Sequence, residues 1–181
     1  MRIACLLIAL LPGLSLAPAP LTAQERGTLN PEEMTMGRIV EDIRAGRTSM
    51  TNCAAGYLMT KSGRHAPARE TFDACASAGY ARAMTWMGYM DENGYAGPRD
   101  PAAAAEWDRR AAEAGDPIGA FNHGLALIRG HGVAADPERG REMVDAAAKA
   151  GLEAAQRLRA AGYDPDEVTP DADEWKYLKA Y

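Results

Sequence analysis

The residues best equipped for acid–base, nucleophilic or metal chemistry do not stand in patterns that such chemistry requires. His65, His123 and His131 lie far apart, whereas a local metal site places ligands one helical turn apart or beside a carboxylate cluster. They are read as solvated or interfacial. Asp91-Glu92-Asn93-Gly94 lacks the alternating oxygen ligands and closing glutamate of a calcium loop, and fits a helix end with Gly94 in the left-handed conformation. Lys61-Ser62-Gly63 sets a lysine next to a serine. A serine enzyme of that kind also needs Ser-x-x-Lys, with the lysine one turn from the nucleophile, and that tetrad is absent. No glycine-rich phosphate loop follows a strand pattern. These residues assign no catalytic group, cofactor or metal.

The cysteines carry more information. Met1-Arg2 precedes an apolar run from Ile3 to Leu16, and Ala17 to Ala23 is a small-residue segment ending in Leu-Thr-Ala before Gln24. That is the layout of a cleavable secretory signal over residues 1–23, too short and too soon followed by proline to span a bilayer. Cys5 leaves with it, and Cys53 and Cys75 remain. An even, small number of thiols in an oxidising compartment reads as a disulfide. The expected location is periplasmic or secreted, with no membrane span in the mature chain.

What positions these residues is a repeat. Shifted by 36 residues, Gly88 falls on Gly124, Gly94 on Gly130, Asp100-Pro101 on Asp136-Pro137 and Ala114-Gly115 on Ala150-Gly151. Self-similarity at this period marks a solenoid, whose units bury their apolar faces only against their neighbours. The chain is therefore read as all-α, with repeats at 50–79, 80–115 and 116–151 and a partial unit at 152–162. A capping helix in residues 24–49 opens at Asn30-Pro31-Glu32-Glu33 and carries Met34, Ile39, Val40 and Ile43 as its stripe. An acidic tail with a short helix occupies 163–181. Expected helices are Thr51 to Lys61 and Pro67 to Ala78, Ala81 to Asn93 and Pro101 to Ala114, then Ile118 to Arg129 and Pro137 to Ala150, and finally Leu152 to Ala161. The first hairpin places the start of one helix beside the end of the other, where Cys53 and Cys75 stand. Trp107 is read as a wedge between helices. Gly88 and Gly124, in mid-helix where glycine is costly, are read as points of close approach. Gly56, Gly79, Gly115, Gly130, Gly132 and Gly151 complete the repeat framework.

Met87-Gly88-Tyr89-Met90, Gly130-His131-Gly132-Val133-Ala134-Ala135-Asp136 and Ala104 to Gly115 resemble, in order, the opening, turn and closing parts of the SEL-one-like repeat, a tetratricopeptide-related α/α unit. The similarity covers about Cys53 to Gly162. The first repeat lacks the turn, the second has Gly94-Tyr95-Ala96-Gly97-Pro98 in its place, and Met143 stands where the family carries an aromatic. The resemblance implies a non-enzymatic scaffold that holds a protein or peptide partner. In a curved α/α array the first helices of the hairpins line the inner side, so Trp86, Tyr89, Met90, His123 and Leu127 are the contact candidates. Packing between helices is the alternative for Tyr89 and Leu127. Trp175 and Tyr177 in the tail either cap the last apolar face or dock a partner. With 25 acidic against 20 basic residues, and the basic ones interspersed with acids, nucleic acid is not an expected partner. Two other functions are compatible with these residues: a subunit of an envelope complex docking through its tail, and a cell-wall or beta-lactam-related hydrolase.

Overall fold

The computed structural model describes residues 35–167, and these form eight α-helices joined by short turns. The predicted signal segment, the Asn30 helix start, Met34, and Trp175 and Tyr177 lie outside the described residues. Helix α1 (Met36–Arg44) opens at Thr35, whose side-chain oxygen accepts from the Arg38 amide. Its Val40 and Ile43 are buried, and it packs on α2 (Met50–Lys61) and α3 (His65–Ser77). Then follow α4 (Ala81–Asn93), α5 (Pro101–Glu113), α6 (Pro117–Arg129), α7 (Pro137–Lys149) and α8 (Glu153–Ala160). From α2 onward each helix packs on the next, and α4 also touches α6.

The starts of α5, α6 and α7 share one device. Asp100, Asp116 and Asp136 accept hydrogen bonds from amides of the first turn, and Pro101, Pro117 and Pro137 follow where no amide donor is needed. This moves the start of α6 one residue ahead of the expected Ile118, since Asp116 is the cap and Pro117 already helical. Helix α3 likewise begins at His65 rather than Pro67. Proline fits there because amides of a first turn have no partner within the helix. Both α4 and α6 end on a left-handed glycine, Gly94 and Gly130.

Close helix contact accounts for three mid-helix glycines. A Cβ on Gly56 would lie 2.5 Å from the Phe72 ring, one on Gly88 would lie 3.1 Å from Asp108 Oδ1, and one on Gly124 would lie 2.8 Å from the Gly140 carbonyl. At such separations a methyl group forces a neighbour to move. The buried apolar side chains fall into two clusters, one spanning α1 to α5 around Met59, Phe72 and Met90, the other spanning α6 to α8 around Leu125, Val144 and Leu158. Trp107 on α5 packs against the first of these clusters without being fully enclosed. Its ring is half-buried and carries the Arg110 guanidinium 4.2 Å from its centre, while Asp108 takes the place against Gly88.

A disulfide joins Cys53 to Cys75 across the α2–α3 hairpin, with Cα atoms 5.9 Å apart and both residues buried. Closing a loop of this length restricts the unfolded chain by about 3 kcal/mol. The Cys53→Ser/Cys75→Ser chain is therefore expected to lose about 3 kcal/mol in urea unfolding. A midpoint unchanged by the substitution or by reductant would remove the bridge from the stability of this hairpin.

Candidate partner-binding groove

Helix α2 is apolar on both sides. Its inner side, Cys53, Ala55, Gly56, Met59 and Thr60, is buried. Its outer side carries Met50, Tyr57 and Leu58, which are 78 %, 43 % and 53 % exposed, with exposed Ala54 between them. Spacings of four, seven and eight residues put these on one helical face. A soluble chain seldom leaves large apolar side chains grouped in water without a use for them.

Beside this stripe the start of α4 and the turn before it complete a groove of about 440 Å³, whose lining includes Met50, Tyr57, Phe72, Tyr80, Arg82 and Trp86. Phe72 forms its floor, pressed against α2 where Gly56 leaves room. Trp86 stacks on Phe72 with ring centres 5.4 Å apart, tilts against Tyr57 at 5.4 Å and meets Tyr89 edge-on at 5.3 Å. The aromatic row continues through Tyr95 to the stacked ring of His65. Rings locked by their neighbours offer a flat apolar surface that loses little entropy when a ligand covers it. Two cations stand near it. The exposed Arg82 guanidinium is 3.5 Å from Asp116, and the Lys61 ammonium lies 5.8 Å from the centre of the Tyr57 ring. Among the described residues, no carboxylate lines the groove. The arrangement suits a ligand with an apolar or aromatic anchor and a nearby negative charge.

The contact residues expected from sequence divide. Trp86 and Tyr89 are half-buried in the aromatic row, and Trp86 lines the groove. Met90, His123 and Leu127 are buried. Met90 belongs to the first core cluster. Burial also holds the His123 imidazole below its ordinary pKa, against a hydrogen bond with the Ala105 backbone that favours the charged form. Met50, Tyr57 and Leu58 were not among the sequence candidates. Their signal was legible as a second apolar stripe on α2, opposite the one containing Cys53 and Met59.

A second hollow, of about 60 Å³, lies between α4, α5 and α6 and is lined by Gly88, Glu92, Asp108, Asn122 and His131 among others. Burial raises the Asp108 pKa to about 8, the Asn122 side-chain amide donating at 3.2 Å opposes that rise, and the Asp116 and Glu92 carboxylates add to it. Glu92 in turn accepts from Arg99 and lies 2.9 Å from His131 Nε2. These groups are engaged with one another, and the hollow has room for little more than water. Among the described residues, no group of three or more His, Cys, Asp or Glu side chains is placed to hold a metal ion, and no helix is long and apolar enough to cross a membrane.

Residues 81–116 and 117–152 each match the Sel1 repeat family, and these spans coincide with the α4–α5 and α6–α7 hairpins. Residues 81–152 are a pair of Sel1 repeats. The fold agrees with solved structures. A Sel1 repeat protein from Oxalobacter formigenes is similar at 24 % identity and a TM-score of 0.58, over 69 % of this chain and 97 % of the other. Cysteine rich protein B of Helicobacter pylori is similar at 16 % identity and a TM-score of 0.56, over 75 % and 96 %. A protective antigen of uropathogenic Escherichia coli strains with an SLR fold is similar at 19 % identity and a TM-score of 0.50, over 77 % of this chain and 36 % of that one. No curated protein matches the chain. Sel1 repeat proteins typically mediate protein–protein interaction. The groove straddles the edge of the two matched Sel1 repeats: Tyr80 and α4 close it on one side, and the disulfide-bridged α2–α3 hairpin supplies the rest.

Proposed function

We propose that this protein is a non-enzymatic, exported Sel1-repeat scaffold that holds a protein or peptide partner in the groove between α2 and α4. The observation that carries the reading is the exposed stripe of Met50, Tyr57 and Leu58 beside the locked rings of Trp86 and Phe72. Such a surface gains by being covered, and central aromatic anchors are where binding energy concentrates. The partner would be an extended or helical segment presenting an aromatic or aliphatic side chain to Trp86 and Tyr57, with a carboxylate near Arg82. Export rests on the signal-like residues 1–23, the disulfide, and the likeness in fold to a cysteine rich protein.

Random peptides displayed against the full chain test the groove. Selected sequences are expected to combine an aromatic or aliphatic residue with a nearby Asp or Glu. Tyr57→Ala should weaken their binding by about tenfold or more, as for an interface anchor worth about 1.4–2 kcal/mol, with the circular dichroism unchanged. Peptides that bind the Tyr57→Ala and Arg82→Glu chains as well as the parent would rule the groove out. Export is checked separately by the location of the protein in fractionated cells and by a mature chain that starts at Gln24.

A further inference from the structure

The groove wants an aromatic anchor next to negative charge, and a stretch of this same chain answers that description. Residues 171–178 read Asp-Ala-Asp-Glu-Trp-Lys-Tyr-Leu, with three carboxylates just ahead of Trp175, Tyr177 and Leu178. We infer that this segment docks in the α2–α4 groove of its own chain, Trp175 against Tyr57 and Trp86 and the acids toward Arg82 and Lys61, and that an external ligand must displace it. The inference shares its surface with the function proposed above and rests on that reading for the idea of displacement.

Three observations support it. The first is charge: among the described residues, the groove that Arg82 and Lys61 flank has no lining carboxylate, and Lys61 has no ion pair. The second is the path. The Arg129 guanidinium donates to the Pro165 carbonyl, which fastens the chain at the C-terminal end of α6. Helices α4 and α6 run in the same direction, because Arg82 at the start of α4 lies 3.5 Å from Asp116, the cap of α6. From the end of α6 to the groove is then about 20 Å along one helix length at 1.5 Å per residue. Two sideways helix steps add about 20 Å, for a diagonal of about 28 Å. Trp175 stands ten residues beyond Pro165, a span of up to about 33 Å when extended. The third is avidity: a segment tethered at this distance faces the groove at an effective concentration near the millimolar range, so weak contacts suffice to fill it.

The test uses the full chain with carbon-13 methionine methyls. Met50, highly exposed on the groove edge, is the reporter, while buried Met59 and Met90 and the distant Met143 on α7 are internal controls. In the parent chain the Met50 methyl is expected to show nuclear Overhauser contacts to the Trp175 indole, and in Trp175→Ala/Tyr177→Ala its resonance should move while the controls stay. If the segment fills the groove nine-tenths of the time, the same double variant should bind a display-selected peptide about tenfold more tightly. A Met50 signal identical in both chains overturns the inference. So does a shift that disappears on dilution, which would place the tail of a second copy in the groove. A selected peptide that binds parent and double variant equally, and is lost in Tyr57→Ala, would end the self-docking and leave the groove as a partner site. A tail-dependent Met50 signal in a chain that binds no selected peptide would do the reverse.

Discussion

Gly132→Ala is expected to lower stability by about 3 kcal/mol, more than any other single-methyl addition in the turns. Gly132 lies in the loop before α7 with φ +69°, and a Cβ there would sit 2.0 Å from the carbonyl oxygen of Pro101 and 2.5 Å from its carbon. Pro101 cannot retreat cheaply. It is the first residue of α5, and the Asp100 carboxylate holds the next turn through the amides of Ala102 and Ala103 at 3.1 and 3.0 Å. The clash therefore adds to the ordinary cost of a left-handed alanine, about 1–2 kcal/mol. It also falls on the contact between two Sel1 repeats, and stability in such arrays is a sum of unit and neighbour terms. The loss should thus appear as earlier unfolding of the C-terminal hairpins in urea, followed by hydrogen exchange. Gly115→Ala is the control, with φ +87° and nothing within 4 Å of its Cβ. If both variants lose the same amount, the inter-repeat contact at Gly132 contributes nothing of its own.

Asp108→Asn should act in the opposite direction, and only above acid pH. The Asp108 carboxyl is buried against Gly88, and its pKa is pushed up to about 8. A carboxyl raised in this way favours the fold while both states are protonated, below its unfolded value near 4. It then weighs against the fold progressively as pH rises toward 8, because the unfolded chain ionises and the native one resists. At pH 7 the difference is of the order of 4 kcal/mol, from about three units at 1.36 kcal/mol each. Asparagine keeps an oxygen for the Asn122 amide and removes the ionisation. The variant should gain most of that amount at pH 7, gain nothing at pH 3, and lose the parent's decline in melting temperature between pH 4 and 8. The repeat itself suggests the same outcome: 36 residues on, the position is Val144, fully buried against Gly124. Melting curves of both chains at several pH values decide it. A parent with flat stability over this range would show that Asp108 ionises without cost.

The role of Asp108 also shows where reading the sequence reaches its limit. Trp107 and Asp108 are adjacent and both plausible on the inner side of α5, the tryptophan more so by size. One residue is a rotation of about 100° on a helix, and in the fold Asp108 lies against Gly88 while the Trp107 ring is half-buried, packed on the first core cluster and carrying Arg110. The same uncertainty affected the contact candidates. Helices α4 and α6 each pack against helices of their own hairpin and of the neighbouring one, so their apolar residues do not lie on a single inner stripe, and Met90, His123 and Leu127 are buried. On α2, apolar side chains face both ways, and only the placement of α1, α3 and α4 shows which stripe remains uncovered.

From the residues alone came the all-helical hairpin plan, the 36-residue period, the Asp-Pro helix starts, and the glycines that must stay small where helices meet. These are local signals: a capping carboxylate, a ring that presets φ, or a missing Cβ acts through atoms a few residues away, and recurrence at a fixed interval reveals the rest. Which apolar side chains stay in water, which acid is buried, and where an aromatic groove opens depended on helices far apart in the chain. Exposure is a property of what packs opposite a residue, and that partner is chosen by the tertiary fold.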